Sequence, residues 1–160
     1  MGSLHLGIAL PIGGRVILTA TDPATGRIVD RIESNNLIVT AGKNLCAMML
    51  GEQSGYNTGL TYCALGTNNA TPTVADTTLG TEAARKAVTT YSISGGELTC
   101  STFFLSTEAN IAIKEIGLFG HSTAGPGVNS GILFNHALLS YDNSGGSPLD
   151  LTVDVIITFG

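Results

Sequence analysis

The sequence contains no tryptophan and only four tyrosines. Sugar-binding sites favour flat aromatic platforms, and this chain has few to offer. Charge is scarce as well. Charged residues make up 12% of the chain, about half the share of an ordinary globular domain. Its seven Lys and Arg residues are scattered from Arg15 to Lys114 under a net charge of −5. Only Arg85 and Lys86 are adjacent, with acidic Glu82 close by. Phosphate binding needs clustered cations, so nucleic acid is not an expected partner. No apolar run approaches the ~20 residues that cross a bilayer, so no membrane partner is expected either. The three cysteines, Cys46, Cys63 and Cys100, form no Cys-x-x-Cys and stand at no metal-ligand spacing from a histidine. Cys46 sits in the apolar run Leu45–Leu50 and reads as a small buried hydrophobe. The odd cysteine count, with no secretory leader, sets the expectation of synthesis in a reducing cytoplasm.

Chemical motifs are missing too. His5, His121 and His136 show no paired metal-binding spacing. There is no G-x-S-x-G, and neighbours such as His121 and Ser122 do not readily form a base–nucleophile pair. The carboxylates are spread singly along the chain, unlike a planned acid–base pair. Asp142-Asn143-Ser144-Gly145 lacks the spaced ligands and closing glutamate of a calcium loop. Hence no catalytic residue, metal ligand or cofactor is expected, and the chain does not read as an enzyme.

What is present is β-forming and apolar. Hydrophobic residues are 43% of 160, with a mean hydropathy of +0.31. That length suits one domain with its own core. Residues 1–14 read as an N-terminal extended arm in which Leu4, Leu6, Ile8, Leu10 and Ile12 alternate. Such an arm adds a strand to its own sheet or is ordered by a neighbouring subunit. The domain proper is expected over 15–160. Arg15–Asp22 and Arg27–Glu33 form a hairpin around Pro23-Ala24-Thr25-Gly26. Thr40 reads as the N-cap of a short helix over Ala41–Leu50, with Leu45, Met48 and Met49 on its apolar face and Gly51 as C-cap. That helix is expected to plug one end of the core. Leu60–Leu65 is a strand, Gly66–Thr78 a long loop, and Leu79–Ala84 a helical turn. Strands are expected at Arg85–Ile93, Glu97–Leu105, Ile111–Phe119, Gly131–Leu139 and Leu149–Phe159. Gly95-Gly96 makes a tight hairpin, and Leu151, Val153, Val155 and Ile157 share one face. Eight or nine short strands imply an all-β fold: an antiparallel β-sandwich, jelly-roll-like, with one short helix. Glu82 and Arg85, three apart, are suited to a structural ion pair across one turn; Arg85 alternatively pairs with Glu115, a carboxylate in an apolar strand that needs a partner if buried.

The order of motifs adds a resemblance. Asn36–Leu45 (NLIVTAGKNL) is followed by Ala64-Leu65-Gly66-Thr67, Pro72, Asp76–Leu79, and Glu82 with Arg85. Then come Ile113–Phe119 (IKEIGLF), Gly131–Phe134 and a closing strand, Leu151–Phe159. The series, from about Arg15 onward, resembles a family of small tailed-bacteriophage virion proteins described as tail-fibre-like, collar or capsid-decorating. The resemblance implies a structural component of the virion. The small size, low charge and apolar arm favour a capsid decoration or cement protein. Its expected partners are further copies of itself, with a trimer the expected oligomer, and the major capsid protein or another virion protein. A tail-fibre, collar or baseplate component is the alternative. A virion-borne carbohydrate-binding module is a third reading, from another class. The expected contact residues are Leu4, Leu6, Ile8, Leu10 and Ile12 in the arm, and Asn68, Asn69 and Thr73 in the long loop.

Overall fold

A computed structural model describes residues 11–160. In chain order the elements are β1 (Ile12–Thr21), β2 (Ile28–Asn35), β3 (Leu37–Ile38), α1 (Thr40–Leu50), β4 (Leu60–Gly66) and β5 (Glu82–Ala87). There follow β6 (Thr90–Ser94), β7 (Glu97–Phe104), β8 (Ala112–Gly120), β9 (Ile132–Leu133), β10 (Asn135–Asp142) and β11 (Asp150–Phe159). They build an antiparallel β-sandwich. One sheet has the order β2-β1-β11-β7-β6. The other runs β3-β10-β8-β4-β5, with β9 paired to β8. Pairings nest, β1 with β11, β3 with β10 and β4 with β8, which gives the sandwich its jelly-roll-like character.

Period-2 alternation places the core. In the first sheet Val16, Leu18 and Ala20 lie opposite Val155, Val153 and Leu151, and all six are fully buried. From the second sheet Cys63, Leu65, Ile116, Leu118 and Ala137 meet them in one cluster. A smaller cluster joins Ala64, Phe119 and Leu133 of the second sheet to Val39, the residue before α1, and Leu79, in the loop before β5. Segments outside the sheet cover its outer face, namely the start of α1, the loop from Thr67 to Thr81, and the loop from His121 to Gly131.

Several local expectations are corrected. The first strand starts at Ile12, paired with Phe159, and not at Arg15. Thr40 is the first residue of α1; the N-cap is Val39, which makes no side-chain cap. The Thr40 amide instead donates to the Val74 carbonyl at 2.8 Å, so a tertiary contact replaces the cap. Gly51 is the C-cap, but the left-handed residue is Glu52, at φ 50°. Met48 points outward, and the buried helical residues are Gly42 and Leu45. Cys46 is half-buried rather than in the core. α1 does close one end of the core, where Leu45 packs into the main cluster.

The helical turn expected at Leu79–Ala84 is absent, and β5 begins at Glu82. The expected strand Arg85–Ile93 is two strands in different sheets. The Val88 amide donates to Thr61 O in one sheet, and the Thr89 amide donates to Ser101 O in the other. The segment Gly131–Leu139 is likewise split into β9 and β10 at Phe134, where the Asn135 side chain stands in the ladder and accepts from the Leu118 amide at 3.1 Å. A side-chain acceptor replaces a backbone one without disturbing the apolar pattern.

The apolar core holds a polar misfit on β7. Thr102, on the inward face of β7, is wholly buried, and its hydroxyl has no hydrogen-bond partner. The Cys63 thiol interacts with it but does not meet hydrogen-bond geometry. A buried hydroxyl without a partner carries a desolvation cost of about 1–3 kcal/mol. Thr102→Val should therefore raise stability by about 1 kcal/mol, or roughly 2–4 °C in Tm. Thermal unfolding of the two proteins measures this, and a lower Tm in the variant would mean the hydroxyl is satisfied.

Candidate functional site

The outer face of the second sheet gathers the buried charges of the described residues. Two polar clusters flank the small apolar cluster there, and each ties down one long loop.

The first is centred on Glu115 in β8, whose residue is 1% exposed. Its Oε1 accepts from the amides of Thr81 at 2.7 Å and Asn68 at 3.3 Å. Its Oε2 accepts from the Gly80 amide at 2.8 Å and faces His136 Nε2 at 2.9 Å. His136, in β10, turns its other nitrogen, Nδ1, to Asp76 Oδ2 at 2.7 Å. Each ring nitrogen of His136 thus faces a carboxylate oxygen, so the imidazole bridges the strand residue Glu115 and the loop residue Asp76. Asp76 is held in turn by the Thr73 hydroxyl at 2.6 Å and the Thr73 amide at 2.9 Å. Partial burial alone would raise the Asp76 carboxyl. The Thr73 hydroxyl and amide, with His136, outweigh that and hold it below its ordinary 3.8. A cavity of about 350 Å³ opens beside the cluster, walled by Thr71, Thr77, Thr78 and Gly80 as well as Asp76, Glu115 and His136.

Glycine makes this arrangement possible. Gly66 lies beside Glu115 in the ladder, and a Cβ there would strike the Glu115 carboxylate and approach Thr81 O to 2.6 Å. At Gly117 a Cβ would come within 2.8 Å of Leu133 Cδ1 and 3.0 Å of Leu79 Cδ2. The two bare positions let the loop layer lie flat on the sheet.

The second cluster joins Glu82 and Arg85. A bulge opposite Leu65 and Gly66 puts their side chains on one face, although they are three apart in a strand. Arg85 Nε donates to Glu82 Oε1 at 2.6 Å, and Nη2 donates to Oε2 at 2.8 Å. Both side chains are buried, at 3% and 0% exposure. The guanidinium lies 4.0 Å from the centroid of the Phe119 ring, a cation–π contact. Its Nη1 donates to Ser130 O at 3.0 Å, while the Asn129 amide donates to Glu82 Oε2 at 3.0 Å. The loop after β8 is thereby bound to β5. Arg85 is not paired with Glu115, whose oxygens are taken by the first cluster.

No family model, no curated protein and no solved structure matches this chain.

The expected contact residues fall in different places. Leu4, Leu6, Ile8 and Leu10 lie outside the described residues. Ile12 is a partly buried member of β1, packed on the core. Asn68 is turned into its own loop, where its Oδ1 accepts from the Ala70 amide at 2.8 Å. The Thr73 hydroxyl is used on Asp76. Asn69 and Thr73 are exposed to solvent, whereas Asn68 is half-buried. Sequence reasoning missed His136 as the partner of Glu115, 21 residues away, and Asp76 as the partner of His136, 60 residues away. The only signal was a carboxylate in an apolar strand that had to be neutralised.

Proposed function

We propose that this protein acts by assembly and not by catalysis, as a structural component of a tailed-phage particle. In the form argued for, homo-oligomers, trimers in the simplest case, sit on the outer capsid and tie neighbouring capsomers together. The observation that carries this reading is how the surface divides its chemistry. The buried carboxylates, His136 and Arg85 are engaged with one another and with backbone groups, so their work is to fix loops. Large apolar side chains meanwhile stand out into solvent: Leu50 is 87% exposed, Ile93 81% and Val128 67%. A surface with few charges and exposed apolar groups favours burial against partners. A protein that binds only the assembled lattice stabilises it by mass action.

Cosedimentation of the purified protein with emptied, tail-less capsids of its phage tests this. Binding at lattice-like stoichiometry is the expected result. Failure to bind tail-less shells, with binding to whole particles, would reassign the protein to the collar, fibre or baseplate. Saturable binding to a glycan with no binding to particles would overturn the assembly reading.

A further inference from the structure

Among the described residues the two sheets end in four edge strands, and one of these differs in chemistry from the rest. β2 carries Asp30, Arg31 and Glu33 along its edge. β5 carries Glu82, Arg85 and Lys86, and the loop after β8 is bound to it. β3 is two residues long. Charges and brevity are the usual devices that keep an edge from pairing with another chain. β6, Thr90–Ser94, lacks such protection, since no charged residue stands between Ala87 and Glu97. Its outer edge pairs with no strand among the described residues. Tyr91 is 53% exposed there and Ile93 81%.

The ladder fixes which backbone groups that edge offers. Gly95-Gly96 is a two-residue hairpin turn, so Ser94 and Glu97 beside it form a hydrogen-bonded pair. Alternation then turns the backbone polar groups of Ser92 and Ser94 toward β7 and those of Tyr91 and Ile93 away from it. Side chains divide in the same rhythm. Tyr91 and Ile93 lie opposite Cys100 and Leu98, on the side of the sheet that faces the core. Thr90, Ser92 and Ser94 share the other side.

The strand offers the same chemistry in either direction. Thr90-Tyr91-Ser92-Ile93-Ser94 has a hydroxyl residue at each end and at the centre, with a large apolar residue in each gap. An antiparallel copy centred on Ser92 would set Tyr91 opposite Ile93 twice and Thr90 opposite Ser94 twice. Both Tyr91–Ile93 pairs would be hydrogen-bonded pairs, so the outward amides and carbonyls would all find partners. An aromatic against a β-branched residue is a favoured cross-strand pair. A patch that pairs with itself is what a two-fold axis requires.

We infer that β6 is a self-pairing edge: two copies of this chain join their first sheets antiparallel through it, with Ser92 on the two-fold axis. The contact pairs copies two by two, so it is separate from any three-fold contact in the assembly proposed above. Its test is read on the isolated protein, without particles.

Sedimentation equilibrium compares the full chain with Ile93→Lys. One strand edge makes a small interface, so the expected dimer is weak, with a Kd on the order of tens of micromolar. A lysine at an edge opposes pairing, and Ile93→Lys should weaken the dimer about tenfold or more. Ile93 is mostly in solvent, so the variant should melt with the parent. Register is tested by oxidising Ser92→Cys in a Cys46→Ser background, where Cys63 and Cys100 stay buried in the core. Opposed residues of a non-hydrogen-bonded pair have Cα atoms about 4.5 Å apart, within disulfide reach. Ser92→Cys should therefore link two copies, whereas Thr90→Cys, displaced from its counterpart by about 13 Å, should not. A full chain that stays monomeric well above the expected Kd would overturn the inference, as would a dimer untouched by Ile93→Lys. Equal cross-linking at positions 90 and 92 would overturn it too. A monomeric chain whose binding to particles falls in Ile93→Lys would overturn it in favour of another virion protein on the same edge. If Ile93→Lys fails to fold, the cross-linking pattern decides.

Discussion

Arg85→Ala should destabilise the protein by about 3–5 kcal/mol, the usual cost of leaving one member of a buried ion pair alone. The Glu82 side chain is fully buried, so the carboxylate loses its counter-charge where water cannot replace it. Losses go beyond charge. The guanidinium also lies on the Phe119 ring and donates to Ser130 O, which holds the loop after β8. For a domain of this size the expected fall in Tm is on the order of 10 °C or more. Arg85→Lys should recover only part of it, because an ammonium is a point donor that cannot make both parallel bonds to Glu82. The double variant Glu82→Leu/Arg85→Met should be far milder than Arg85→Ala, since it leaves no orphaned charge. Thermal and urea unfolding of the three variants measures these differences. If the double variant is as unstable as Arg85→Ala, the pair's value lies in packing and loop contacts and not in neutralising Glu82.

That prediction rests on a geometry only half legible in the sequence. Glu82 and Arg85 were readable as a pair by spacing, but through the wrong local structure. Three residues apart is a helical neighbour relation, and in a regular strand it would separate the two side chains to opposite faces. The bulge opposite Leu65 restores their common face, and bulges leave little trace in an apolar pattern. Strands with one clean buried face were readable throughout. β11 alternates from Asp150 to Val155, and the β1–β2 hairpin announces itself through Pro23 and Gly26, the latter at φ 70°. Gly95 and Gly96, at φ 56° and 80°, close the β6–β7 turn as their sequence suggests. What could not be read was where a continuous β pattern changes sheet. Val88 and Thr89 carry no Gly or Pro, yet their amides serve different sheets. Long-range polar partners were equally hidden. Nothing near His136 in the chain points to Asp76, because the two meet only after the long loop has been laid across the sheet.

The sharper test of that loop layer is Glu115→Ala. One carboxylate here accepts from the amides of Asn68, Gly80 and Thr81 and faces His136. Alanine leaves those amides without their acceptor, at about 1–3 kcal/mol for each that stays dry. It also leaves the imidazole with one carboxylate in place of two. Water will enter to meet part of that demand, and a cavity already lies beside the cluster to admit it. The damage should therefore be local before it is global. Hydrogen exchange at the Gly80 and Thr81 amides should accelerate about a hundredfold, as for loss of roughly 3 kcal/mol of local closing free energy. The amides of Ile116 and Leu118, in the same strand as Glu115 but in the sheet ladder, should keep most of their protection. Glu115→Gln should fall between, because its single acceptor oxygen can serve one oxygen's partners but its amide nitrogen opposes the rest. Uniform loss of protection across β8 and the loop alike would mean that Glu115 holds the sheet itself together. Unchanged exchange at Gly80 and Thr81 would mean that Leu79, packed under the loop against Leu133 and Phe119, is enough to hold the layer down without the carboxylate.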